Sequence, residues 1–391
     1  MTRIPTCFLT FGLLVGLTGC PDAPEEATES STAKAGAAST PDAPKPPAPP
    51  AARALSGQWV SAGTLPLAIE RPVLVVLDDG RVFAYGNGED SRGALWDPKA
   101  RTWSATAASK RPRGEPAASL LPDGSVLVTG GVHIPKGHYV LRSSERYDPG
   151  TDRWKDAGNT GAQRRGHAQL TLDDGRIAII GGVGGGFAAP TRAIHVYDPK
   201  KGTYSPMAEL GVGRSFHAAY SLGSGALLVV GGQDKEGPLK SIEVCDAGAK
   251  RCRVLPRSVA RDRAAVAPVG QGNVLISGGV TQRAVGATEV IYDPGKGEFM
   301  PTGAMAKRRN GHTLTALSDG RVLAIGGEKS AAGSAEVYDP KAKAWATAPS
   351  PEHGRHGHAA LRLKDGTILL VGGVDANGKP VLETERLKTQ P

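Results

Sequence analysis

A Gly-Gly pair that recurs along most of this 391-residue chain constrains its fold more than any other feature. Each pair closes a short run of aliphatic residues, and an Asp-Gly dipeptide precedes most of these runs. Asp-Gly between apolar runs predicts a tight hairpin, because such a turn needs residues with positive φ. The pairs begin at residues 130, 181, 231, 278, 326 and 372, with a degenerate first copy at 86–88, so the period is 44 to 51 residues.

A second landmark follows five of the seven glycine landmarks. It is an aromatic residue followed by Asp and Pro, with a second aromatic residue seven positions after the first. Asp-Pro initiates a turn and stops strand pairing, so seven residues describe two strands joined by a short turn. Each repeat therefore predicts four strands, a to d. The aromatic pairs are Trp96 and Trp103, Tyr147 and Trp154, Tyr197 and Tyr204, Tyr292 and Phe299, and Tyr338 and Trp345.

These landmarks, with an arginine about ten residues after the second aromatic, resemble the kelch repeat from Ser56 to Leu387. Kelch repeats form the blades of β-propellers, so the resemblance implies an all-β propeller over residues 56–391. Seven glycine landmarks predict seven blades. The last copy lacks strand d, and residues 58–63 match strand d of the second copy, so the N-terminal strand is predicted to complete the seventh blade and close the ring.

The first twenty residues have the features of an export signal. Arg3 supplies a positive charge, and residues 8–17 form an apolar run too short to span a bilayer. The sequence Leu-Thr-Gly-Cys ending at Cys20 resembles the bacterial lipobox, in which cleavage leaves a lipidated cysteine as the first mature residue. The resemblance implies a lipoprotein signal peptide over 1–19 and a lipid on Cys20. The alternative is an ordinary cleaved signal with a chance cysteine.

Residues 20–55 comprise the lipidated cysteine and an Ala- and Pro-rich segment without aromatic residues. This composition predicts a disordered tether. A lipid on Cys20 would attach the protein to a membrane without spanning it. The predicted location is therefore the bacterial cell envelope. Pro21, rather than Asp, follows the cysteine, and under the sorting rule of enteric bacteria this favours the outer membrane.

Blade four replaces both aromatic landmarks by cysteine. Cys245 and Cys252 are again seven residues apart and would face each other across the c–d hairpin. An oxidising, exported location favours a disulfide between them, and the alternative is two buried free thiols. Two thiols cannot complete a zinc site, and HExxH, CxxC and EF-hand motifs are absent, so no metal and no cofactor are predicted.

An arginine recurs near the start of each strand a, and symmetry predicts a basic ring around the axis. One interpretation is a funnel that attracts an acidic ligand. The other, which we favour, is a structural ring paired with strand-c acids such as Glu145, Glu243, Glu336 and Glu385. Histidines two or three residues later recur in the same way and are predicted to pack in the scaffold. The ring residues are Arg71, Arg113, Arg165, Arg214, Arg261, Arg309 and Arg355.

The b–c and d–a loops are expected on one face, and the longest b–c loops belong to blades two and three. Variable loops on a rigid scaffold tend to carry binding residues. The candidate ligand-binding residues are therefore His133, His138, Tyr139 and Phe187, and the alternative is that they are ordinary surface residues.

The sequence favours a membrane-anchored scaffold that binds a protein or a glycan, and it contains no assembled catalytic set. The alternative is a carbohydrate-active enzyme, because kelch propellers resemble the galactose-oxidase domain and bacterial sialic-acid mutarotases. The oxidase copper site needs a Cys–Tyr crosslink, for which no thiol remains. The net charge of +9 raises nucleic acid as a partner, but an exported lipoprotein rarely meets it. A monomer is expected.

Overall fold

Seven four-stranded antiparallel sheets make up the described part of the chain, together with one two-stranded hairpin. The computed structural model describes residues 50–390 apart from 87–88, 135–138, 187, 257–261, 271, 281–288 and 329–330. The described residues contain strands and turns but no helix, and therefore no helix that is long and apolar enough to cross a membrane.

Each sheet is one blade, with strand a innermost and strand d outermost. Blade 1 is formed by β2 (Val73–Val76), β3 (Val82–Tyr85), β4 (Arg92–Asp97) and β5 (Thr102–Ala108). Blade 2 is formed by β6 (Ala117–Leu120), β7 (Val126–Thr129), β10 (Ser143–Asp148) and β11 (Arg153–Asn159), with the small hairpin β8 (Val132–His133) and β9 (Tyr139–Val140) in its b–c loop. Blade 3 is formed by β12 (Ala168–Thr171), β13 (Ile177–Ile180), β14 (Ala193–Asp198) and β15 (Thr203–Glu209).

Blade 4 is formed by β16 (Ala218–Gly223), β17 (Ala226–Val230), β18 (Ile242–Cys245) and β19 (Arg253–Val254). Blade 5 is formed by β20 (Ala265–Val269), β21 (Asn273–Ser277), β22 (Val290–Asp293) and β23 (Glu298–Pro301). Blade 6 is formed by β24 (Thr313–Ala316), β25 (Val322–Ile325), β26 (Ala335–Asp339) and β27 (Ala344–Ala348). Blade 7 is formed by β28 (Ala359–Arg362), β29 (Ile368–Val371), β30 (Glu383–Thr389) and β1 (Gly57–Thr64).

The innermost strands contact one another in a closed circle, from β2 through β6, β12, β16, β20, β24 and β28 back to β2. The predicted seven-bladed propeller is thus confirmed. The second strand of each blade lies between neighbouring blades and is buried on both faces, as in Val126–Thr129, Ile177–Ile180 and Ile368–Val371. Consecutive apolar residues suit such a strand, because both of its faces are removed from water.

The N-terminal strand closes the ring as predicted. β1 pairs antiparallel with β30, with Trp59 opposite Leu387, and so supplies the fourth strand of blade 7. Contacts with the propeller begin before Ser56. Arg53 forms an ion pair with Asp339 at 2.8 Å, and Leu55 is buried with the core residues between blades 6 and 7. The end of the predicted tether is therefore bound to the propeller.

The disulfide between Cys245 and Cys252 is also confirmed. The two residues follow the register of β18 and β19, in which Val244 lies opposite Arg253. In blades 2, 3, 5 and 6 the same positions hold aromatic rings whose centroids lie 4.8–5.3 Å apart. Blade 4 thus substitutes a covalent bond for an aromatic contact.

Candidate functional site

Five arginine side chains are fully buried at the entry to strand a of their blades. In each, Nη1 donates to the carbonyl of the first glycine of the Gly-Gly pair in the same blade, as in Arg113 to Gly130 at 2.8 Å. The residues are Arg113, Arg164, Arg214, Arg309 and Arg355. These arginines fasten the start of strand a to the end of strand b and are inaccessible to a ligand.

The expected strand-c acids accept from four of these guanidinium groups. Nη2 of Arg113, Arg309 and Arg355 lies 2.7–2.8 Å from a carboxylate oxygen, and Arg214 contacts Glu243. The same carboxylates accept backbone N–H groups from the d–a loop, as Glu243 does from Gly211. The pairs are Arg113 with Glu145, Arg214 with Glu243, Arg309 with Glu336 and Arg355 with Glu385.

The structure changes the membership of the predicted ring at two positions. Arg164, not Arg165, is the buried arginine of blade 3. In blade 1 the ring position is occupied by Ile69. Its carbonyl accepts a hydrogen bond from the amide of Gly373, just as the carbonyl of Arg214 accepts one from the amide of Gly182. Arg71 and Arg165 are half-exposed instead, and both bind Glu115, at 2.6 and 3.3 Å. Arg261 lies outside the described residues.

Four repeated histidines pack against the Gly-Gly pair of the preceding blade. A Cβ atom built on Gly326 would lie 2.5 Å from Cε1 of His358, and Gly130, Gly181 and Gly278 face the other three histidines as closely. The first glycine of the pair thus leaves room for an imidazole. Burial, reinforced by the buried arginine of the same blade, lowers the pKa of each to about 3, so they are neutral. They are His167, His217, His312 and His358.

The residue two positions after the buried arginine begins an axial funnel. Glycine occupies this position in blades 3, 6 and 7, with φ between 58° and 65°. Glu115, Phe216 and Arg263 occupy it in blades 2, 4 and 5 and keep the same left-handed backbone, with φ of 53–54°. Backbone hydrogen bonds connect these positions in neighbouring blades. The amide of Phe216 donates to the carbonyl of Gly166 at 2.6 Å, and the amide of Arg263 donates to the carbonyl of Phe216 at 3.2 Å.

A cavity of about 600 Å³ opens at this level and is lined by residues of blades 1, 4, 5, 6 and 7, which places it on the propeller axis. Phe216 is its aromatic wall, and the guanidinium carbons of Arg165 and Arg263 lie 5.8 and 5.3 Å from the ring centroid. The lining side chains are Arg71, Phe216, Arg263, Asn310, Glu328 and His356. An adjoining cavity of about 450 Å³ contains Glu115 between Arg71 and Arg165.

Asn310 in the funnel wall and Asp262, which precedes the lining residue Arg263, have unused hydrogen-bonding capacity. Asn310 is 3% exposed and donates to Glu328 at 2.7 Å, while its Oδ1 has no partner among the described residues. Oδ1 of Asp262 is also buried without a described partner, and burial raises the pKa of this carboxyl. Buried polar atoms without partners are uncommon, and their presence beside a cavity indicates room for a ligand or water.

The two candidate loop residues that the structure describes, His133 and Tyr139, are not among the residues that line the axial cavity. His133 is buried and packs against Tyr139, with the ring centroids 4.8 Å apart and the ring planes tilted by 45°. Tyr139 is 38% exposed and lines a separate cavity of about 500 Å³ between blades 2 and 3. His138 and Phe187 lie outside the described residues. One sequence signal could have indicated the funnel, namely the position at which some repeats have Gly and others Glu, Phe or Arg.

No family model matches the sequence. "Kelch-like protein 23" of Mus musculus is 35% identical over 89 residues, which cover 23% of this chain and 15% of the relative. The proteins of that name from Homo sapiens and Pongo abelii are 34% identical over 89 residues. The alignment thus spans 15% of the length of these curated relatives.

Solved structures share the fold, and two of them illustrate the likeness. One is a fungal alcohol oxidase of the AA5 family in complex with copper, with a TM-score of 0.68 and 18% identity, covering 86% of this chain and 76% of the oxidase. The other is YjhT, with a TM-score of 0.57 and 14% identity, covering 84% of this chain and 99% of YjhT. At these identities the likeness shows the fold alone.

The residues that the structure describes do not fit the copper group of the oxidase. Both cysteines of the described part are joined to each other, so neither can form a crosslink with a tyrosine. The repeat tyrosines, including Tyr147, Tyr197 and Tyr338, are buried inside the blades. Within the described ranges, no three His, Cys, Asp or Glu side chains lie close enough to hold a metal ion.

Proposed function

Because this chain is a kelch-repeat β-propeller, we propose that it is an exported, lipid-anchored binding module that takes a polar ligand, a glycan, into its axial funnel. The observation that carries the proposal is the backbone at Glu115, Phe216 and Arg263. All three hold the left-handed conformation that glycine adopts at the same position in three other blades.

A side chain at such a position has an energetic cost. A non-glycine residue in the left-handed region costs about 1 kcal/mol or more and persists where the surroundings over-determine it, commonly at ligand sites. A repeat scaffold does not need these side chains, because glycine serves the same turn in blades 3, 6 and 7. The side chains that break the repeat therefore support a role in binding.

The chemistry of the funnel suits a polar, uncharged or mixed-charge ligand. Arginines 71, 165 and 263 are balanced by Glu115 and Glu328 nearby, so donors and acceptors alternate around the wall. Phe216 adds an apolar surface, and Asn310 adds an unused acceptor. A concave site of about 600 Å³ is in the size range of small-molecule sites, which favours a short glycan over a flat protein surface.

The attachment of the N-terminal segment is compatible with this role. Arg53 binds Asp339, the last residue before the c–d turn of blade 6, and Arg321, beside the a–b turn, donates to the carbonyl of Ala54 at 2.9 Å. These turns lie at the ends of the strands opposite the funnel residues, which precede strand a. The described N-terminal residues therefore contact the propeller at the end opposite the funnel mouth.

The test is a glycan array probed with residues 50–391, followed by titration with each glycan retained. We expect saturable binding of at least one glycan, and Arg263→Gly should lower the affinity for that glycan at least tenfold. Lys343→Gly is the matched control, because Lys343 also has a positive φ of 51° but lies in a c–d turn. No glycan bound, a purified protein bound instead, or turnover of a free sugar would contradict the proposal.

The anchor needs its own experiment. Radiolabelled palmitate should be incorporated into the wild type expressed in a bacterial host, and the protein should sediment with membranes. Cys20→Ser should lose both label and sedimentation. A wild-type protein that stays in the soluble fraction without label would exclude the lipid.

A further inference from the structure

Blade 3 departs from the repeat at the carboxylate that accompanies its buried arginine. In blades 2, 4, 6 and 7 a strand-c glutamate, two residues before the aromatic landmark or its equivalent, binds the guanidinium group. His195 stands at this place in blade 3, opposite Pro206 in the β14–β15 register. Arg164 is nevertheless retained and is as fully buried as the other four arginines.

Blade 1 shows how the pair is lost without leaving a charge. Ile69 replaces the arginine and Ala94 replaces the glutamate, so both partners are apolar. Removing only one partner of a buried pair leaves an uncompensated charge, which is strongly destabilising. Blade 3 has this costly arrangement, because no carboxylate of the described residues lies within ion-pair distance of Arg164. In blade 5 the arginine is Arg261, outside the described residues.

The imidazole of His195 presents a donor on its free side. Nη2 of Arg164 lies 2.6 Å from its Nδ1, and because a guanidinium group only donates, Nδ1 is the acceptor. Burial, together with the charge of Arg164, lowers the pKa of His195, so the ring is neutral and its proton is on Nε2. Nε2 is directed toward the d–a loop, since a Cβ atom on Gly161 would lie 2.5 Å from it.

Two backbone amides beside this imidazole also lack the acceptor that the repeat normally provides. Gly211 and Val212 of blade 4 donate to Glu243 at 2.5 and 3.1 Å. Their counterparts in blade 3 are Gly161 and Ala162, and within the described part of the chain neither amide has an acceptor. Both residues line the cavity of about 500 Å³ between blades 2 and 3.

We propose that this cavity binds the carboxylate group of a ligand, which supplies to the two amides of blade 3 the acceptor that Glu243 supplies to their counterparts in blade 4. The amides of Gly161 and Ala162 donate hydrogen bonds to this carboxylate. The positive charge of Arg164, which is hydrogen-bonded to His195, attracts it electrostatically. Arg111 and Arg142 also line the cavity, against a single acid, Asp156. The site is separate from the axial funnel, so its test does not depend on the glycan proposal.

The experiment titrates the full-length protein with sodium acetate at pH 7.5, with chloride replaced at constant ionic strength. Amide shifts from ¹⁵N-edited spectra are followed at Gly161 and Ala162. We expect saturable shifts at these two residues with a millimolar Kd. His195→Glu, which restores the carboxylate of the repeat, should weaken acetate binding at least tenfold and raise the melting temperature.

The reciprocal variant is Glu243→His, which should make the amides of Gly211 and Val212 respond to acetate. If that variant does not fold, His195→Glu alone decides, because it moves blade 3 toward the repeat. Linear, unsaturable shifts at Gly161, or unchanged acetate affinity in His195→Glu, would overturn the proposal. Inorganic phosphate bound more tightly than acetate would overturn the assignment to a carboxylate.

Discussion

Acid should unfold this propeller because four histidines are buried in the neutral form. His167, His217, His312 and His358 have a pKa of about 3 in the folded protein, against about 6.5 for an exposed histidine. The unfolded chain therefore binds more protons than the folded chain between these values. The stability contributed by neutral burial is complete above pH 6.5 and is lost as the pH falls toward 3.

The size of the effect follows from the shift. At pH 5 each unfolded histidine gains about 2 kcal/mol from protonation that its folded counterpart cannot gain. Four such residues amount to about 8 kcal/mol, which is comparable with the 5–15 kcal/mol by which domains are stable. Within this interval each histidine contributes a slope of about 1.4 kcal/mol per pH unit.

Urea unfolding at several pH values between 4.8 and 7.5 measures the slope. His312→Ala, which copies Ala264 of blade 5, should lower stability at pH 7.5 but reduce the slope below pH 6 by about 1.4 kcal/mol per pH unit. The matched control is Leu323→Ala in the same blade, which removes buried volume without a titrating group and should keep the wild-type slope. Equal wild-type stability at pH 5 and 7.5, or an unchanged slope in His312→Ala, would refute the reasoning.

Three further predictions concern the scaffold. Deleting residues 50–64 removes the strand that completes blade 7 and should lower the melting temperature sharply; an unchanged melting curve would refute closure by β1. Replacing Cys245 and Cys252 by alanine should cost about 2–3 kcal/mol in urea unfolding, from the short loop that the disulfide closes, and equal midpoints with and without the bond would contradict this. Glu243→Ala should lower the free energy of unfolding by about 3–5 kcal/mol, because Arg214 stays buried and charged. Adding Arg214→Ile, which copies blade 1, should recover most of this loss. A double variant no more stable than the single variant would contradict the prediction.

The scaffold could be predicted from the sequence because its determinants are local and repeated. Asp-Gly turns, Gly-Gly pairs and aromatic residues seven apart specify hairpins, and the missing strand d of the last copy specifies closure. The cysteine pair was predictable for the same reason, since Cys245 and Cys252 occupy known repeat positions.

The functional surface was less predictable because it depends on tertiary register. Two adjacent arginines, 164 and 165, fit the same spacing, and only the packing shows which one is buried. Arg71 lies near strand a but two residues beyond the ring position. The left-handed backbone at Glu115, Phe216 and Arg263 accompanies hydrogen bonds between blades, and in the sequence only the glycines at the same position of blades 3, 6 and 7 indicate it.

The most direct test of the central claim is the affinity of Phe216→Gly for the glycan retained by the array, measured by calorimetry beside its stability in urea. Glycine suits the backbone φ of 54° but removes the aromatic wall of the funnel. We predict at least a tenfold loss of affinity with a free energy of unfolding within about 1 kcal/mol of the wild type, because relief of backbone strain offsets lost packing. Wild-type affinity in Phe216→Gly would contradict the assignment of the funnel as the binding site.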